Sequence, residues 1–221
     1  MSNVIYCISG LGADEKIFSR LELSGYQLVH IPWLKPQSHE SLENYAGRMK
    51  QIIDDPSPVL MGVSFGGMMA IEISRQLPEC RLVLVSSVKT RPELPLWMRV
   101  SGRLRLNRLM PLGSWTKSSL AEKMNNNRLG VSSPEEAALA RDYRKKADPA
   151  YVNWAIDRIV NWRSGILPPH RFLHVHGDAD KIFPVSRIKS VEVVPGATHM
   201  MIYNRAAEVS ALIQGWLQTN C

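Results

Sequence analysis

Short apolar runs alternate with amphipathic stretches along the whole chain. The apolar runs predict strands at about 4–8, 27–31, 58–63, 81–86, 171–176 and 190–194. Strands separated by helical stretches are typical of a parallel sheet whose two faces are covered. The pattern therefore predicts an α/β fold with a mainly parallel sheet of about six strands and helices on both faces.

Three helical stretches support this sheet. Residues 40–53 carry apolar side chains at helical spacing and end at Asp54-Asp55-Pro56. A second helix follows the third strand and is predicted to run to Leu77, before Pro78. A last helix is predicted from near Asn204, and its buried face would contain Val209, Leu212, Ile213 and Trp216.

The section from 88 to 168 interrupts this alternation. It has no convincing strand, and its helical patterns are separated by repeated prolines. We therefore expect a core formed by 1–87 and 169–221, with a helical insertion at 88–168. Four of the six tryptophans lie in the insertion: Trp97, Trp115, Trp154 and Trp162. They would either line an apolar pocket or pack the insertion onto the sheet.

The most informative motif is Gly62-Val63-Ser64-Phe65-Gly66, between the third strand and the next helix. A strand that enters a helix through so tight a turn needs small residues beside the serine, and it leaves the hydroxyl exposed. This arrangement, a nucleophile elbow, makes Ser64 a candidate nucleophile. The alternative is a glycine-rich connection whose serine only caps the helix.

A serine nucleophile needs a base and a third group that orients the base. Asp178 and Asp180 follow the fifth strand and His199 follows the sixth, at the strand ends where open parallel sheets bind ligands. We predict Asp180 and His199 as the partners of Ser64. Asp178 is the alternative acid, although it could instead bind backbone amides of the loop.

The remaining histidines are weaker candidates. His30 and His39 precede the elbow, and His170 precedes a strand. His174 and His176 lie two residues apart in a strand and share a face, which would also suit a metal site. No third ligand has suitable spacing, so a buried, hydrogen-bonded pair is the favoured interpretation.

Acyl transfer also needs amide donors for the oxyanion. The amide of Phe65 is one candidate by position, and the Leu11 amide in the glycine-rich Ser9-Gly10-Leu11-Gly12 loop is the second. A dinucleotide- or phosphate-binding loop is the alternative for residues 9–12. That loop lacks the later glycine of a dinucleotide fingerprint and any Gly-Lys-Ser/Thr sequence.

Composition restricts the class of protein. The chain has 221 residues, of which 45% are apolar, so one compact unit is expected. No apolar run approaches 18 residues and no leader pattern is evident, which favours a soluble, cytoplasmic protein. Cys7, Cys80 and Cys221 have no metal-binding spacing and are expected to be free thiols.

The charge is unevenly distributed. The formal net charge is +7, and residues 88–170 contain 15 Lys and Arg against 7 Asp and Glu. This basic segment would attract anionic substrates, or it is a solvated face that keeps the protein in solution. No nucleic-acid motif accompanies it, so we do not expect nucleic-acid binding.

Together these motifs resemble the α/β-hydrolase superfamily over nearly the whole chain. The resemblance rests on the Ser-Gly-Leu-Gly loop, Gly62–Gly67, His176-Gly177-Asp178-Ala179-Asp180 and Gly196-Ala197-Thr198-His199. It implies the α/β-hydrolase fold, with Asp180 as the acid and residues 88–168 as a helical lid. The resemblance also implies two departures: we expect a trimmed sheet without the family's amino-terminal hairpin, and Ser9 stands where the family often has a histidine.

The expected function is that of a serine hydrolase acting on a carboxylic ester or related acyl compound through an acyl-enzyme intermediate. Ser64, Asp180 and His199 would be catalytic, and the amides of Leu11 and Phe65 would form the oxyanion hole. No cofactor or metal is expected, since this chemistry needs neither. The alternatives are an acyl thioesterase or acyltransferase with an anionic substrate, and a non-catalytic small-molecule binding protein of the same fold.

Overall fold

The computed structural model describes residues 3–106, 119–164 and 171–220. Six strands form a single parallel sheet in the order β2-β1-β3-β4-β5-β6. They are β1 (Val4–Ile8), β2 (Gln27–His30), β3 (Val59–Val63), β4 (Arg81–Val85), β5 (Arg171–Gly177) and β6 (Glu192–Val194). The predicted α/β fold class is confirmed, with each strand within about two residues of its predicted position.

Eight α-helices are described. They are α1 (Leu42–Met49), α2 (Phe65–Ser74), α3 (Leu96–Arg103), α4 (Ser119–Leu129), α5 (Pro134–Lys146), α6 (Pro149–Val160), α7 (Met201–Asn204) and α8 (Ala206–Thr219). Short 3₁₀ turns occur at Glu15–Phe18, Lys50–Ile52, Arg91–Glu93 and Val185–Arg187.

One of these helix boundaries differs from its prediction and another agrees with it. Helix α2 ends at Ser74 rather than Leu77, because the Gln76 and Leu77 amides bond carbonyls three residues back and tighten the last turn. The last helix, α8, begins at Ala206, within two residues of its predicted start near Asn204, and Arg205, whose φ of −125° and ψ of 34° are not helical, separates it from α7.

The strands bury side chains on both faces of the sheet. Alternate residues of β1 show this: Tyr6 and Ile8 pack with helices α1 and α2, whereas Ile5 and Cys7 pack against the face covered by α7 and α8. Burial raises the pKa of the Cys7 thiol, and that of Cys80 to about 12. Cys7 and Cys80 are free thiols.

The order of the strands determines where a crevice opens. β2 and β3 lie on opposite sides of β1, so the connections that leave β1 and β3 diverge at their carboxyl ends. The Ser9–Gly12 loop follows β1 and Ser64 follows β3. A Cβ atom added at Gly10 would lie 3.5 Å from the Ser64 Cβ, so these two segments are in contact across the crevice.

Helices α3 to α6 occupy the section between β4 and β5, and its described residues contain no strand. We call residues 88–168 the helical insert. Within it α3 packs closely on α6, where a Cβ at Gly102 would overlap the Val160 carbonyl. The insert meets the core at Trp162, which is buried and donates its Nε1–H to Glu72 at 2.7 Å. Among the described residues no helix has the length and apolar character needed to cross a membrane.

Candidate active site

Ser64 lies at the junction of β3 and α2 in a strained backbone conformation. Its φ of 55° and ψ of −120° lie outside the ordinary regions for a non-glycine residue. The Ser64 amide donates to the Val85 carbonyl at 3.0 Å, and its carbonyl accepts bonds from the Gly67 amide and the Ser87 hydroxyl. These contacts fix the backbone of Ser64 and leave its Oγ available to other groups.

Two glycines make this tight turn possible. A Cβ at Gly62 would overlap the Gly66 carbonyl, and a Cβ at Gly66 would overlap the carbonyls of Ile8 and Ser9. Only a residue without a side chain permits such close backbone approaches. The glycine pattern of the sequence therefore reflects contacts of the turn with itself and with the end of β1.

His199 lies in the loop between β6 and α7, with 6% of its surface exposed. Its Nε2 is 2.9 Å from the Ser64 Oγ, and its Nδ1 is 2.7 Å from the Asp180 Oδ2. Because a carboxylate only accepts hydrogen bonds, Nδ1 carries the proton and Nε2 is left to accept from the serine hydroxyl. The ring of Phe183 packs edge-on against the imidazole at 5.6 Å.

The two carboxylates that follow β5 have different surroundings. Asp180 is buried: its Oδ1 accepts the amides of Ile182 and Phe183 at 2.8 and 2.9 Å, while its Oδ2 faces His199. Asp178 is exposed and its Oδ1 accepts the Gly196 amide at 2.6 Å. Asp180 is thus the carboxylate that reaches the imidazole, and Asp178 joins the two loops beside it.

The environment of Asp180 favours its ionised form. Burial raises the pKa of this carboxyl, but the His199 ring and the donated hydrogen bonds lower it by more. The pKa consequently lies well below the ordinary value of 3.8. Asp180 is therefore a fixed negative charge behind the imidazole at every pH near neutrality.

The two candidate oxyanion donors come from different elements. Phe65 is the first residue of α2, where amides have no acceptor within the helix, and the helix dipole is positive. Leu11 follows Gly10, which contacts Ser64 as described above. Both amides therefore belong to segments that adjoin the Ser64 side chain.

Ser9 and Trp33 together support the loop after β1. The Ser9 hydroxyl donates to the Ala13 carbonyl at 2.7 Å and accepts the Trp33 indole N–H at 3.1 Å. The same N–H lies 3.2 Å from the Gly10 carbonyl. The polar support of this loop is therefore built from a serine and a tryptophan, at the position where sequence analysis noted a departure from the family.

An aromatic group is built around Phe65, the residue that follows Ser64. Trp33 stacks on Phe65 with 5.1 Å between ring centroids and 6° between planes, and Tyr151 lies 5.4 Å from Trp33. Trp154 contributes from the insert, 4.3 Å from Tyr45 and 6.4 Å from Phe65. This aromatic group, next to the candidate nucleophile in the chain, is thus formed by both the core and the insert.

The helical insert also contacts the loops that carry the other site residues. Thr198, next to His199, donates to the Gly130 carbonyl at 3.3 Å, and Lys181, next to Asp180, donates to Asn127 at 2.7 Å. A Cβ at Gly12 would lie 3.4 Å from the Ala147 side chain. The insert therefore extends over the carboxyl edge of the sheet.

The other expectations for this region have separate outcomes. Trp97 is 58% exposed and has no ring contact with another aromatic side chain among the described residues, and Trp115 and His170 lie outside those residues. His174 and His176 are buried in β5. Within the described ranges, no three His, Cys, Asp or Glu side chains are grouped as metal ligands would be.

Sequence analysis missed two contributors to this region. Trp33 follows β2, an edge strand, by three residues, and a large aromatic just after the carboxyl end of a strand was the available signal. Ser87 follows β4 and holds the Ser64 carbonyl at 2.6 Å. The sequence indicated that Ser87 lies at the same edge of the sheet, but it did not indicate that the Ser87 hydroxyl bonds the Ser64 carbonyl.

Comparisons with known proteins agree with this architecture. The family model described as "Alpha/beta hydrolase family" matches residues 8–212. No curated protein matches the sequence. Among solved structures, MenH from S. aureus has a TM-score of 0.74 at 16% identity, with 99% of this chain and 95% of that chain covered.

Two further structures are similar at low identity. A thermophilic esterase from Thermogutta terrifontis has a TM-score of 0.66 at 17% identity, with 98% of this chain and 89% of that chain covered. The N-acyl homoserine lactonase AidH, complexed with N-butanoyl homoserine, has a TM-score of 0.68 at 15% identity, with coverages of 99% and 89%. At these identities the likeness is one of fold.

Proposed function

The chain belongs to the alpha/beta hydrolase family, and from that premise we propose that it is a serine hydrolase. Its substrate would be a carboxylic ester or related acyl compound, cleaved through an acyl-enzyme intermediate. The observation that carries the proposal is the continuous hydrogen-bonded series in which His199 lies 2.9 Å from the Ser64 Oγ and 2.7 Å from the Asp180 Oδ2.

The proposed reaction has two halves. In the first, the Ser64 Oγ attacks the acyl carbon while its proton moves to the His199 Nε2, which then passes it to the leaving alcohol. In the second, His199 takes a proton from water as the water oxygen attacks the acyl carbon. The bond between that carbon and the Ser64 Oγ then breaks, the carboxylic acid is released, and the proton passes from His199 back to Ser64. Asp180 remains ionised throughout and stabilises the imidazolium.

The amides of Leu11 and Phe65 are the proposed oxyanion donors. Charge develops on the carbonyl oxygen as the tetrahedral intermediate forms, and fixed backbone donors stabilise it without rearrangement. The bond from the Trp33 indole to the Gly10 carbonyl supports this role, because it restrains the peptide that carries the Leu11 amide.

We propose that residues 88–168 serve as the lid of this site. The support is that helix α6 contributes Tyr151 and Trp154 to the aromatic group beside Ser64, while Gly130 and Asn127 contact the loops of His199 and Asp180. The lid would then supply much of the surface that selects the acyl or alcohol group.

Carboxylic esters are the first substrate class to test. The aromatic surface beside Ser64 suits an apolar acyl group, and both the esterase and the lactonase of the same fold are named for cleaving ester bonds. The basic character of residues 88–170 favours a second candidate, an anionic acyl thioester. If steering operates, kcat/KM for such a thioester should fall as ionic strength rises, whereas kcat/KM for a neutral ester should not.

Reaction with a fluorophosphonate probe tests the nucleophile directly. The wild-type protein should take up one equivalent of label, located by mass spectrometry on the peptide containing Ser64. Ser64→Ala should take up none. Ser57→Ala, which changes an exposed serine in the turn before β3, should label like the wild type. A folded wild-type protein that refuses the label would overturn the proposed chemistry.

A further inference from the structure

A connected series of buried ionisable side chains begins at Asp180. It consists of His176, His174, Lys89 and Glu93, each no more than 5% exposed. Buried ionisable groups are costly unless they are paired, so such a row requires an explanation. The proposed reaction uses none of these four side chains.

His176 lies against the carboxylate. Its Nε2 is 2.8 Å from the Phe183 carbonyl and 3.3 Å from the Asp180 Oδ2. Since a carbonyl oxygen only accepts, Nε2 carries the proton and this N–H is directed at both oxygens. The Asp180 Oδ2 therefore faces two imidazoles: His199, which also contacts the serine, and His176, which does not belong to the proposed catalytic series.

Lys89 fixes the form of His174. The Lys89 Nζ is 2.8 Å from the His174 Nδ1, 3.2 Å from a Glu93 oxygen and 2.6 Å from the Lys189 carbonyl. An ammonium group only donates, so the His174 Nδ1 accepts and the proton of this ring is on Nε2. Burial, Lys89 and His176 together hold the pKa of His174 well below its ordinary value, so the ring is neutral.

His174 and His176 each have a second ring nitrogen, and these two nitrogens have opposite hydrogen-bonding roles. Their centroids are 5.5 Å apart and their planes are perpendicular. The His174 Nε2–H is a donor, and the His176 Nδ1 is an acceptor. Both are buried with no hydrogen-bond partner in the described part of the chain. A neutral His176 beside a neutral His174 is the arrangement that this geometry favours.

We propose that His176 is a positioning residue for Asp180, kept in its neutral Nε2–H form by the buried His174–Lys89–Glu93 group. This inference rests on the proposed function, because Asp180 is the orienting acid only if Ser64 is the nucleophile. His176 orients the carboxylate and shares its charge with His199, and it exchanges no proton during the reaction. The group also joins the first turn of the insert to the acid of the site.

The sign of the expected effect follows from the shared oxygen. Without the His176 donor, the Asp180 Oδ2 interacts more strongly with His199 and stabilises its protonated form. Deprotonation of His199 then requires a higher pH, so the acidic limb of the activity profile moves upward. The carboxylate is also less restrained, so the rate at optimal pH falls.

His176→Phe and His176→Gln form a matched pair of variants. The glutamine Nε2 reaches approximately the position of the imidazole Nε2 and still donates, whereas phenylalanine cannot. The rate of fluorophosphonate labelling and kcat for a p-nitrophenyl ester are measured from pH 5 to 9. We expect His176→Phe to lower both about tenfold with KM unchanged and to move the acidic limb upward, since bonds to charged groups are among the stronger ones.

His176→Gln should recover most of the rate and the wild-type pH profile, and His39→Asn, at an exposed histidine, should resemble the wild type. Equal rates and profiles in wild type and His176→Phe would overturn the proposal. Equal losses in both His176 variants would also overturn it, because they would indicate packing alone.

The tautomers can be measured without any activity. In ¹⁵N NMR of the wild-type imidazoles, both His174 and His176 should be neutral Nε2–H tautomers at pH 7. A His176 ring in the Nδ1–H form contradicts the inference even if the protein takes the label. A wild-type protein without labelling overturns the proposed function instead, so the two failures are distinguishable.

Discussion

The carboxyl edge of the sheet and the helical insert are held by different kinds of contact. At the edge, Gly62 and Gly66 allow backbone to meet backbone, and buried polar bonds fix Asp180. The insert is joined by side chains that can adjust, such as the exposed pair of Lys16 in the core and Asp142 in the insert. Its helices α3 and α4 also expose large apolar residues, namely Leu96, Trp97, Val100, Leu120 and Met124.

This difference separates two tasks. Fixed backbone contacts give the edge the small tolerances that proton transfer requires. Exchangeable side-chain contacts allow the insert to vary in shape while it covers the site. Changes at the edge should therefore affect the rate of reaction, and changes in the insert should affect binding of substrate.

The largest expected effect comes from a carboxylate at the edge. Asp180→Asn replaces the acceptor of the His199 Nδ1–H with an amide and should lower kcat by about 10³- to 10⁴-fold, because the imidazole loses its correct tautomer. In the insert, Glu122→Gln removes the ion pairs with Arg141 and Arg144 and should leave kcat within about twofold, as exposed pairs contribute little. The measurement is kcat for ester hydrolysis by both variants. Comparable losses of kcat in the two would contradict the expected difference between the edge and the insert.

Glycine substitutions compare the backbone contacts of the two regions. Gly66→Ala forces a Cβ into the carbonyls of Ile8 and Ser9 and should destabilise the fold by about 3 kcal/mol or more, with labelling of Ser64 lost. Gly102→Ala forces a Cβ into the Val160 carbonyl and separates α3 from α6. We expect it to lower the melting temperature but to retain labelling. Loss of labelling in a folded Gly102→Ala protein would show that the insert fixes the site as rigidly as the edge does.

The junction of the two regions should give a pH-dependent stability. The folded pKa of His174 lies below its unfolded value near 6.5, so below that pH the unfolded chain binds a proton that the folded protein excludes. Its stabilising contribution is present above the unfolded pKa and decreases as the pH falls, by on the order of 1 kcal/mol between pH 7.5 and 5.5.

His174→Asn, which keeps an acceptor for Lys89, should remove this part of the pH dependence. Urea unfolding of the wild type and the variant at both pH values measures it. Parallel pH dependences in the two proteins would show that His174 titrates normally in the folded state.

The smallest expected effect lies in the insert itself. Trp154→Phe keeps an aromatic ring beside Phe65 but removes the indole bond to the Glu40 carbonyl, which is 3.0 Å long. KM for an ester should rise by about threefold with kcat unchanged, in keeping with the net contribution of one hydrogen bond. Trp97→Phe, at a residue 58% exposed, is the control and should change neither constant. A fall in kcat for Trp154→Phe would show that this tryptophan affects the rate of reaction, as residues of the carboxyl edge do, and not only the binding of substrate.

Much of the edge could be predicted from the sequence because its determinants are local. The elbow needs small residues within five positions, and parallel strands bring their following loops to one side whatever the intervening chain does. This is why Ser64 could be matched in the sequence with Asp180 and His199, which lie more than a hundred positions after it. The choice between Asp178 and Asp180 rested on depth in the turn, which the exposed fractions of the two side chains reflect.

Other features depend on tertiary contacts that leave no local pattern. Trp33 and Ser87 each bond a carbonyl in a segment that follows a different strand, Gly10 and Ser64 respectively. The residues next to Trp33 and Ser87 in the sequence do not indicate these partners. The row from His176 to Glu93 joins two segments more than eighty residues apart, so the sequence indicated only that the two histidines share a face. Helix α2 ends early through hydrogen bonding of its last turn, although Pro78 was the visible stop signal.

The position of the insert in the sheet has an evolutionary consequence. It connects β4 to β5, which are neighbours paired from Arg81 with Arg171 to Val85 with Val175. Parallel neighbours require only a crossover of a dozen or so residues, and this one is far longer. Strand pairing sets the end points of the crossover and nothing between them, so insertions, deletions and exchanged segments can accumulate there without altering strand register. A lineage with this sheet could thus acquire new substrate preferences while Ser64, Asp180 and His199 stay in place.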